Sequence, residues 1–261
     1  MFFLLSIKMI CVFYGNCQTN VYKSFFETFT NFKVISYVNY EMIKSKEKIP
    51  YNILQKANIF IYQHINNEEY HPSKFISQLP DNCTIIKIQS LHCKIYFPDS
   101  IQSQSLIEHM SQYEPFGVIS YGHDKIDIGK NFYEKQELQV VYETFQTLIE
   151  KDAEFDTKIY DFINKNFRNE RLFFTIDHPS NKILRIIIYQ ILDILNIKPC
   201  KDDHDFWVHE HMNSYIDYIH ADIYEFFGLK FPKMLIKTHD NVYRNDEEFL
   251  KFYKDVIKSH V

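Results

Sequence analysis

Apolar residues first gather in Met9-Ile10-Cys11-Val12-Phe13-Tyr14, a continuous run closed by Gly15, and then change period. Val21, Tyr22, Phe25, Phe26 and Phe29 fall at i, i+1, i+4, i+5 and i+8, one face of an amphipathic helix. The first hundred residues therefore open with a buried strand, a tight turn and a helix. Further strand-like runs follow at 32–38, at Ala57-Asn58-Ile59-Phe60-Ile61-Tyr62 before Gln63-His64, and at Cys83-Thr84-Ile85-Ile86-Lys87-Ile88 before Gln89-Ser90. The intervening stretches, 42–55 and 70–79, are polar enough for short helices or loops.

Beyond about residue 100 the helical period dominates, over 101–113, 133–150 and 156–167. A late strand over 171–176 leads into Asp177-His178-Pro179-Ser180. After it, Ile183, Leu184, Ile187, Ile188, Ile191, Leu192 and Leu195 line one face of a core helix. Strands alternating with helices imply parallel pairing through right-handed crossovers. The expected fold is α/β: a small parallel sheet with a flavodoxin- or SGNH-like core, flanked by helices, with a largely helical C-terminal part. A single domain over 1–261 is expected, its α/β core spanning about 9–196 and a helical extension about 197–261.

Composition narrows the function classes. A 46% hydrophobic content with 24 Phe and 19 Tyr supplies a large aromatic core, and only 5 Gly and 8 Pro argue against collagen-like repeats and disordered tails. With net charge −5 and no long basic run, nucleic acid is not an expected partner. Five cysteines, odd in number and without C-x-x-C spacing, fit a reducing compartment rather than a disulfide framework. Met1–Lys8 lacks the basic region and cleavage site of a signal peptide, and Met9 offers an alternative start. The run 183–195 is too short and too polar to span a bilayer. A soluble, cytoplasmic protein is expected.

Candidate chemistry collects at the strand ends, where open parallel sheets bind ligands. Gly15-Asn16-Cys17-Gln18 sits at a strand-to-helix turn, where free helix N–H groups converge and a helix N-terminus lowers a thiol's pKa. The same turn also reads as a tight connection holding a small half-buried Cys. His178, with Pro179 suited to the first helical position, is placed at a helix N-cap, where the dipole keeps the ring neutral as a general base requires. It reads equally as a simple cap. Gln63 and Gln89 are candidate oxyanion donors or, more plainly, strand-end amides satisfying local backbone. Ser90 and Ser180 lack a G-x-S-x-G elbow. His204-Asp205 with His209-Glu210-His211 does not match H-E-x-x-H, so no metal is expected. The His123 to Asp127 H-x-x-x-D match is loose. Neither G-x-G-x-x-G nor a P-loop is present.

The Gly15-Asn16-Cys17-Gln18 turn, the strand ending at Gln63 and the Phe173-Phe174-Thr175-Ile176-Asp177-His178-Pro179 block together resemble the WcbI family of polysaccharide biosynthesis enzymes, over roughly 9–200. The resemblance implies coenzyme A binding and acetyl transfer from acetyl-CoA to a capsular or other surface sugar, without a standard acetyltransferase fold. It points to Cys17 and His178 as catalytic residues and to Gly15, Asn16, Gln18, Gln63, Gln89 and Lys23 beside the cofactor. Two routes fit: direct attack on acetyl-CoA by a sugar hydroxyl or amine that His178 deprotonates, or transfer through a Cys17 thioester. Lys23, Lys94, Arg168, Arg171 and Arg185 are candidate partners for the CoA phosphates. An SGNH-like esterase, with Cys17 in the place of a nucleophilic serine, and a non-catalytic sugar- or nucleotide-binding module are the alternatives.

Overall fold

The computed structural model describes residues 8–97, 100–101, 122–123, 136–219, 221–238, 241–249 and 251–252. All but the first residue of the helix expected over 101–113, and the His123 to Asp127 motif beyond its first residue, lie outside them. The chain divides into two compact units, one formed by 1–90, 151–159 and 181–211, the other by 91–150, 160–180 and 212–261.

The first unit is built on four parallel strands in the order β2-β1-β3-β4: β1 (Ile10–Gly15), β2 (Lys33–Val38), β3 (Ile59–Gln63) and β4 (Thr84–Ile88). Because β1 is central and covered on both faces, its alternate side chains serve two cores, and the strand reads as an unbroken apolar run. Phe13 packs edge-on against Phe26 at 5.3 Å and beside Tyr22, both on helix α1 (Gln18–Phe29). Val12 and Tyr14 enter the opposite core with Met42, Leu54, Phe60 and Phe75. Short helices α2 (Asn39–Ser45), α3 (Tyr51–Leu54) and α4 (Ser73–Ile76) fill the connections. Registers such as Phe13 opposite both Ser36 and Ile61 bring the carboxyl ends of β1, β3 and β4 to one edge.

Antiparallel strands β5 (Ser100–Ile101) and β6 (Gly122–His123) pair with each other. The helical run expected over 156–167 is shorter than its periodicity. Helix α5 (Gln136–Glu154) stops, and α6 (Tyr160–Asn166) starts anew. Between them Asp156 exchanges bonds with the edge of β4: its carboxylate accepts the Lys87 N–H at 2.7 Å, and its own N–H reaches the Lys87 carbonyl at 2.9 Å. Pairing of an otherwise open strand edge thus outweighs helix continuation.

The late strand corrects the expected sheet. β7 (Phe173–Thr175) does not join the parallel strands; it pairs antiparallel with β8 (His178–Pro179) in the second unit. There the Arg171 guanidinium donates to the carbonyls of Phe173, Phe174 and Asp217. Burial lowers its pKa to about 10, which leaves it charged at neutral pH. The Tyr96 hydroxyl sits within hydrogen-bond reach of the Phe167 and Glu170 carbonyls. The core helix α7 (Asn181–Ile194) belongs to the first unit and carries the apolar face expected of it. The C-terminal stretch combines a 3-10 turn (His204–Trp207), α8 (Ala221–Phe227) and a ladder of β9 (Ile236–Lys237) with β10 (Tyr243–Arg244). Among the described residues no helix is long and apolar enough to cross a membrane.

Phe26 is fully buried against Phe13, Phe25 and Phe32. Phe26→Ala is expected to lower unfolding stability by about 3–5 kcal/mol, read as a fall in the urea midpoint. A midpoint within error of the parent would contradict this packing.

Candidate functional site

At the end of β1 the chain turns through Gly15 and Asn16 into α1. Asn16 is the working cap: its Oδ1 accepts the Gln18 N–H at 3.0 Å, and its carbonyl accepts the Thr19 N–H at 3.0 Å and the Thr19 hydroxyl at 2.7 Å. Cys17 is already helical, at φ −56° and ψ −24°, so its half-buried sulfur stands on the first turn of α1. No acidic residue occupies that turn to offset the positive end of the helix dipole. The fully buried Tyr22 hydroxyl, one turn further on, has no hydrogen-bond partner. Burial first, and then the nearby Cys17, push its pKa above the usual phenol value.

The expectation of free helix N–H groups at the turn is not met. The N–H groups of Gln18 and Thr19 are taken by Asn16, and that of Asn20 by the Cys17 carbonyl at 3.1 Å. The N–H of Asn16 donates to Gln63 Oε1 at 2.7 Å. These four N–H groups are thus engaged within the protein, and the side chains at the turn offer further donors. Asn16 is half-buried and uses one amide hydrogen on Ser90 Oγ at 3.2 Å.

Gln63 and Gln89 occupy the predicted strand ends, but as structural amides rather than exposed donors; each is 1% exposed. Gln63 Nε2 donates to Gln18 Oε1 at 3.0 Å and to the Gln89 carbonyl at 3.1 Å, which uses both its hydrogens. Gln89 Nε2 donates to Asp152 Oδ1 and to the Thr157 carbonyl, and its Oε1 accepts the Thr157 hydroxyl at 3.2 Å. Both oxygens of Asp152 also accept the Ile159 N–H at 2.9 Å. The hydrogens of both side-chain amides are thus spent inside the protein, where Gln63 supports the turn and Gln89 supports Gln63. Gln18 is likewise fully buried. Gly15 has a steric reason: a Cβ there would lie 2.3 Å from Gln63 Oε1 and 2.9 Å from Thr19 Cγ2.

Lys23 faces outward on α1, 3.9 Å from Glu27 in an i,i+4 pair. Among the other proposed cations, Arg171 is bound to carbonyls in the second unit, and Arg168 donates to the Phe227 carbonyl at 3.1 Å. Arg185 reaches the buried Asp203, which also accepts from Tyr189 and Trp207. Lys94 is half-buried in the second unit. Sequence reasoning missed Lys151, whose ammonium reaches the Ser90 carbonyl at 3.2 Å, as well as Asp152 and Thr157. For Lys151 and Asp152 the only sequence signal is the gap between two helical periods, and Thr157 falls inside the second of them.

His178 is not the N-cap of α7. It is the first residue of β8, and α7 starts at Asn181, whose N–H donates to Glu210 at 2.6 Å. Within the second unit its ring stacks on Tyr215 at 6.2 Å and 22°, and Nε2 lies 4.0 Å from Asp177. Nδ1 is buried without a partner. Burial lowers the pKa from 6.5, against the opposing pull of Asp177 and Asp217. Neutrality, which the sequence reading drew from a helix dipole, thus comes from desolvation. Among the described residues no group of three or more His, Cys, Asp or Glu is placed to hold a metal ion.

The family model described as polysaccharide biosynthesis enzyme WcbI matches residues 10–199. Among solved structures, the chain is similar to WcbI, a novel polysaccharide biosynthesis enzyme, described as the native protein without a disulfide bond between coenzyme A and one of its cysteines. The TM-score is 0.70 at 16% identity, covering 97% of this chain and 91% of the other, a likeness of fold. No curated protein matches the chain.

Gly15→Ala is expected to cost about 1–3 kcal/mol of stability, because the amide of Gln63 must shift. The cost should shrink in a Gln63→Ala background, which a double-mutant cycle measures; full additivity would contradict the contact. The folded pKa of His178 lies below the ordinary 6.5, so the unfolded chain takes up this proton first on acidification. Stability that depends on neutral His178 is complete above 6.5 and is lost as pH falls below it. The ring should therefore titrate below 6.5 by NMR, and a midpoint above that value would contradict its burial.

Proposed function

Because the chain belongs to the family of the polysaccharide biosynthesis enzyme WcbI, we propose that it is an acetyltransferase that moves an acetyl group from acetyl-CoA to a sugar hydroxyl or amine in surface-polysaccharide synthesis. The observation that carries this reading is the placement of Cys17 on the first turn of α1, at the carboxyl edge of the sheet. The structural relative is described as the native protein without a disulfide bond between coenzyme A and one of its cysteines, a description that pairs those two sulfurs. A disulfide requires two sulfurs at bonding distance, about 2 Å. By analogy, the CoA sulfur is proposed to lie against Cys17, with Gly15 and Asn16 beside it.

The direct route suits the chemistry of the individual residues. His178, neutral at pH 7 through burial, is the proposed general base. It takes the proton of the acceptor hydroxyl or amine as that atom bonds to the thioester carbonyl carbon. The tetrahedral adduct then expels CoA as a thiolate, which regains the proton from the imidazolium. The second amide hydrogen of Asn16 and the Ser90 hydroxyl are the proposed donors to the thioester oxygen, since the backbone N–H groups flanking Cys17 are occupied. Lys151 is a better-placed cation for the anionic cofactor than Lys23, which is turned toward Glu27. The reaction is proposed to take place in the cytoplasm.

Calorimetric titration should show CoA binding to the parent protein; absence of heat at millimolar CoA would overturn the assignment. His178→Ala is expected to lower acetyl transfer at neutral pH by about 10²–10⁴-fold, with CoA affinity retained. Intact mass after incubation with acetyl-CoA should show no stable acetyl adduct; an adduct lost in Cys17→Ala would replace the direct route by the covalent one. Turnover of p-nitrophenyl acetate without CoA would favour the esterase.

A further inference from the structure

Gln63 holds both sequence neighbours of Cys17 at once. Its Oε1 accepts the N–H of Asn16, the residue before, and its Nε2 donates to the side chain of Gln18, the residue after. The remaining Nε2 hydrogen anchors it to the carbonyl of Gln89. The Gln89 side chain is in turn held by Asp152 and Thr157, more than sixty positions along the chain. We propose that Gln63, Gln89 and Asp152 are positioning residues that form an amide clamp, setting the direction in which the Cys17 sulfur meets the sulfur of CoA. This rests on the reading of Cys17 as the residue that CoA approaches.

Three observations carry the proposal beyond a structural role. A turn that only had to pack would bury apolar side chains, since each buried amide must recover its lost hydration through hydrogen bonds. Here Gln18, Gln63, Gln89 and Thr157 are all 0–1% exposed in one connected network. Its amide hydrogens on Gln63 and Gln89 are all used internally, so neither residue contributes a donor to a ligand. Two of the three bonds of the Gln63 amide converge on the segment that carries the thiol, and the third anchors the amide to Gln89. Gly15 belongs to the same device, because Gln63 Oε1 fills the space of its missing side chain. A sulfur held this way has a defined line of approach, and misplacement by about 1 Å can cost on the order of 10²-fold in rate.

The test compares two reagents on the full chain, with labelling read separately at each cysteine by peptide mass. Oxidised CoA requires an oriented thiol, whereas iodoacetamide requires only access; the exposed Cys200 is the internal control. In the parent, oxidised CoA should prefer Cys17 over Cys200. In Asp152→Ala the Cys17 reaction with oxidised CoA should slow by at least about tenfold relative to its iodoacetamide rate, with Cys200 unchanged. Asp152→Asn, which keeps an acceptor oxygen for Gln89, should recover most of the loss. Gln63→Leu should match Asp152→Ala; if it does not fold, the Asp152 pair decides. An unchanged ratio of the two rates in folded Asp152→Ala overturns the clamp, and so does failure of Asp152→Asn to recover it. If the parent shows no preference for Cys17, it is the CoA reading that fails.

Discussion

The hydrogen bond from the Asn16 N–H to Gln63 Oε1, 2.7 Å long, is the constraint on which the rest of the thiol turn depends. It brings the side-chain amide of β3 onto the backbone of β1 where the strand ends. The approach is so close that residue 15 has no room for a Cβ. With Asn16 held, its side chain is aimed to cap α1, and the cap sets Cys17 on the first helical turn. Buried polar contacts of this kind are stronger than in water but costly if left incomplete. That cost explains why the amides continue, bond by bond, until the chain of partners reaches the carboxylate of Asp152.

The same accounting reshapes the chemistry available at the turn. A helix N-terminus is commonly a donor array for anions. Here the N–H groups of Asn16, Gln18, Thr19 and Asn20 are engaged, and the side chains linked to the turn include the Asn16 amide, the Ser90 hydroxyl and, at the Ser90 carbonyl, the Lys151 ammonium. Such a set suits one polarised carbonyl oxygen and an anionic cofactor better than a cradle for a phosphate. In the second unit burial favours the neutral form of His178, whose ring stacks on Tyr215.

Legibility followed the range of the forces involved. Strand β1 is readable because both its faces are buried, which writes an unbroken apolar run, and α1 because one face packs on Phe13. Gly15, Gln63 and Gln89 stand out at strand ends, yet their role depends on partners that periodicity cannot reveal. Asp152 and Thr157 hold Gln89 close to where Asp156 pairs with the edge of β4, contacts between residues more than sixty positions apart. β7 looks like another parallel strand in composition, but its residues pair instead with the hairpin neighbour β8, so the N-cap geometry inferred for His178 gives way to a strand. Non-local pairing of this kind leaves no local pattern to read.

The central claim is that the turn at Cys17 is where the sulfur of coenzyme A lies. It is tested most directly by a crystal structure of the protein with CoA. The account predicts the CoA sulfur within van der Waals contact, about 4 Å, of Cys17 Sγ, with the Gln63–Asn16 bond intact. CoA bound with its sulfur remote from Cys17 would contradict it.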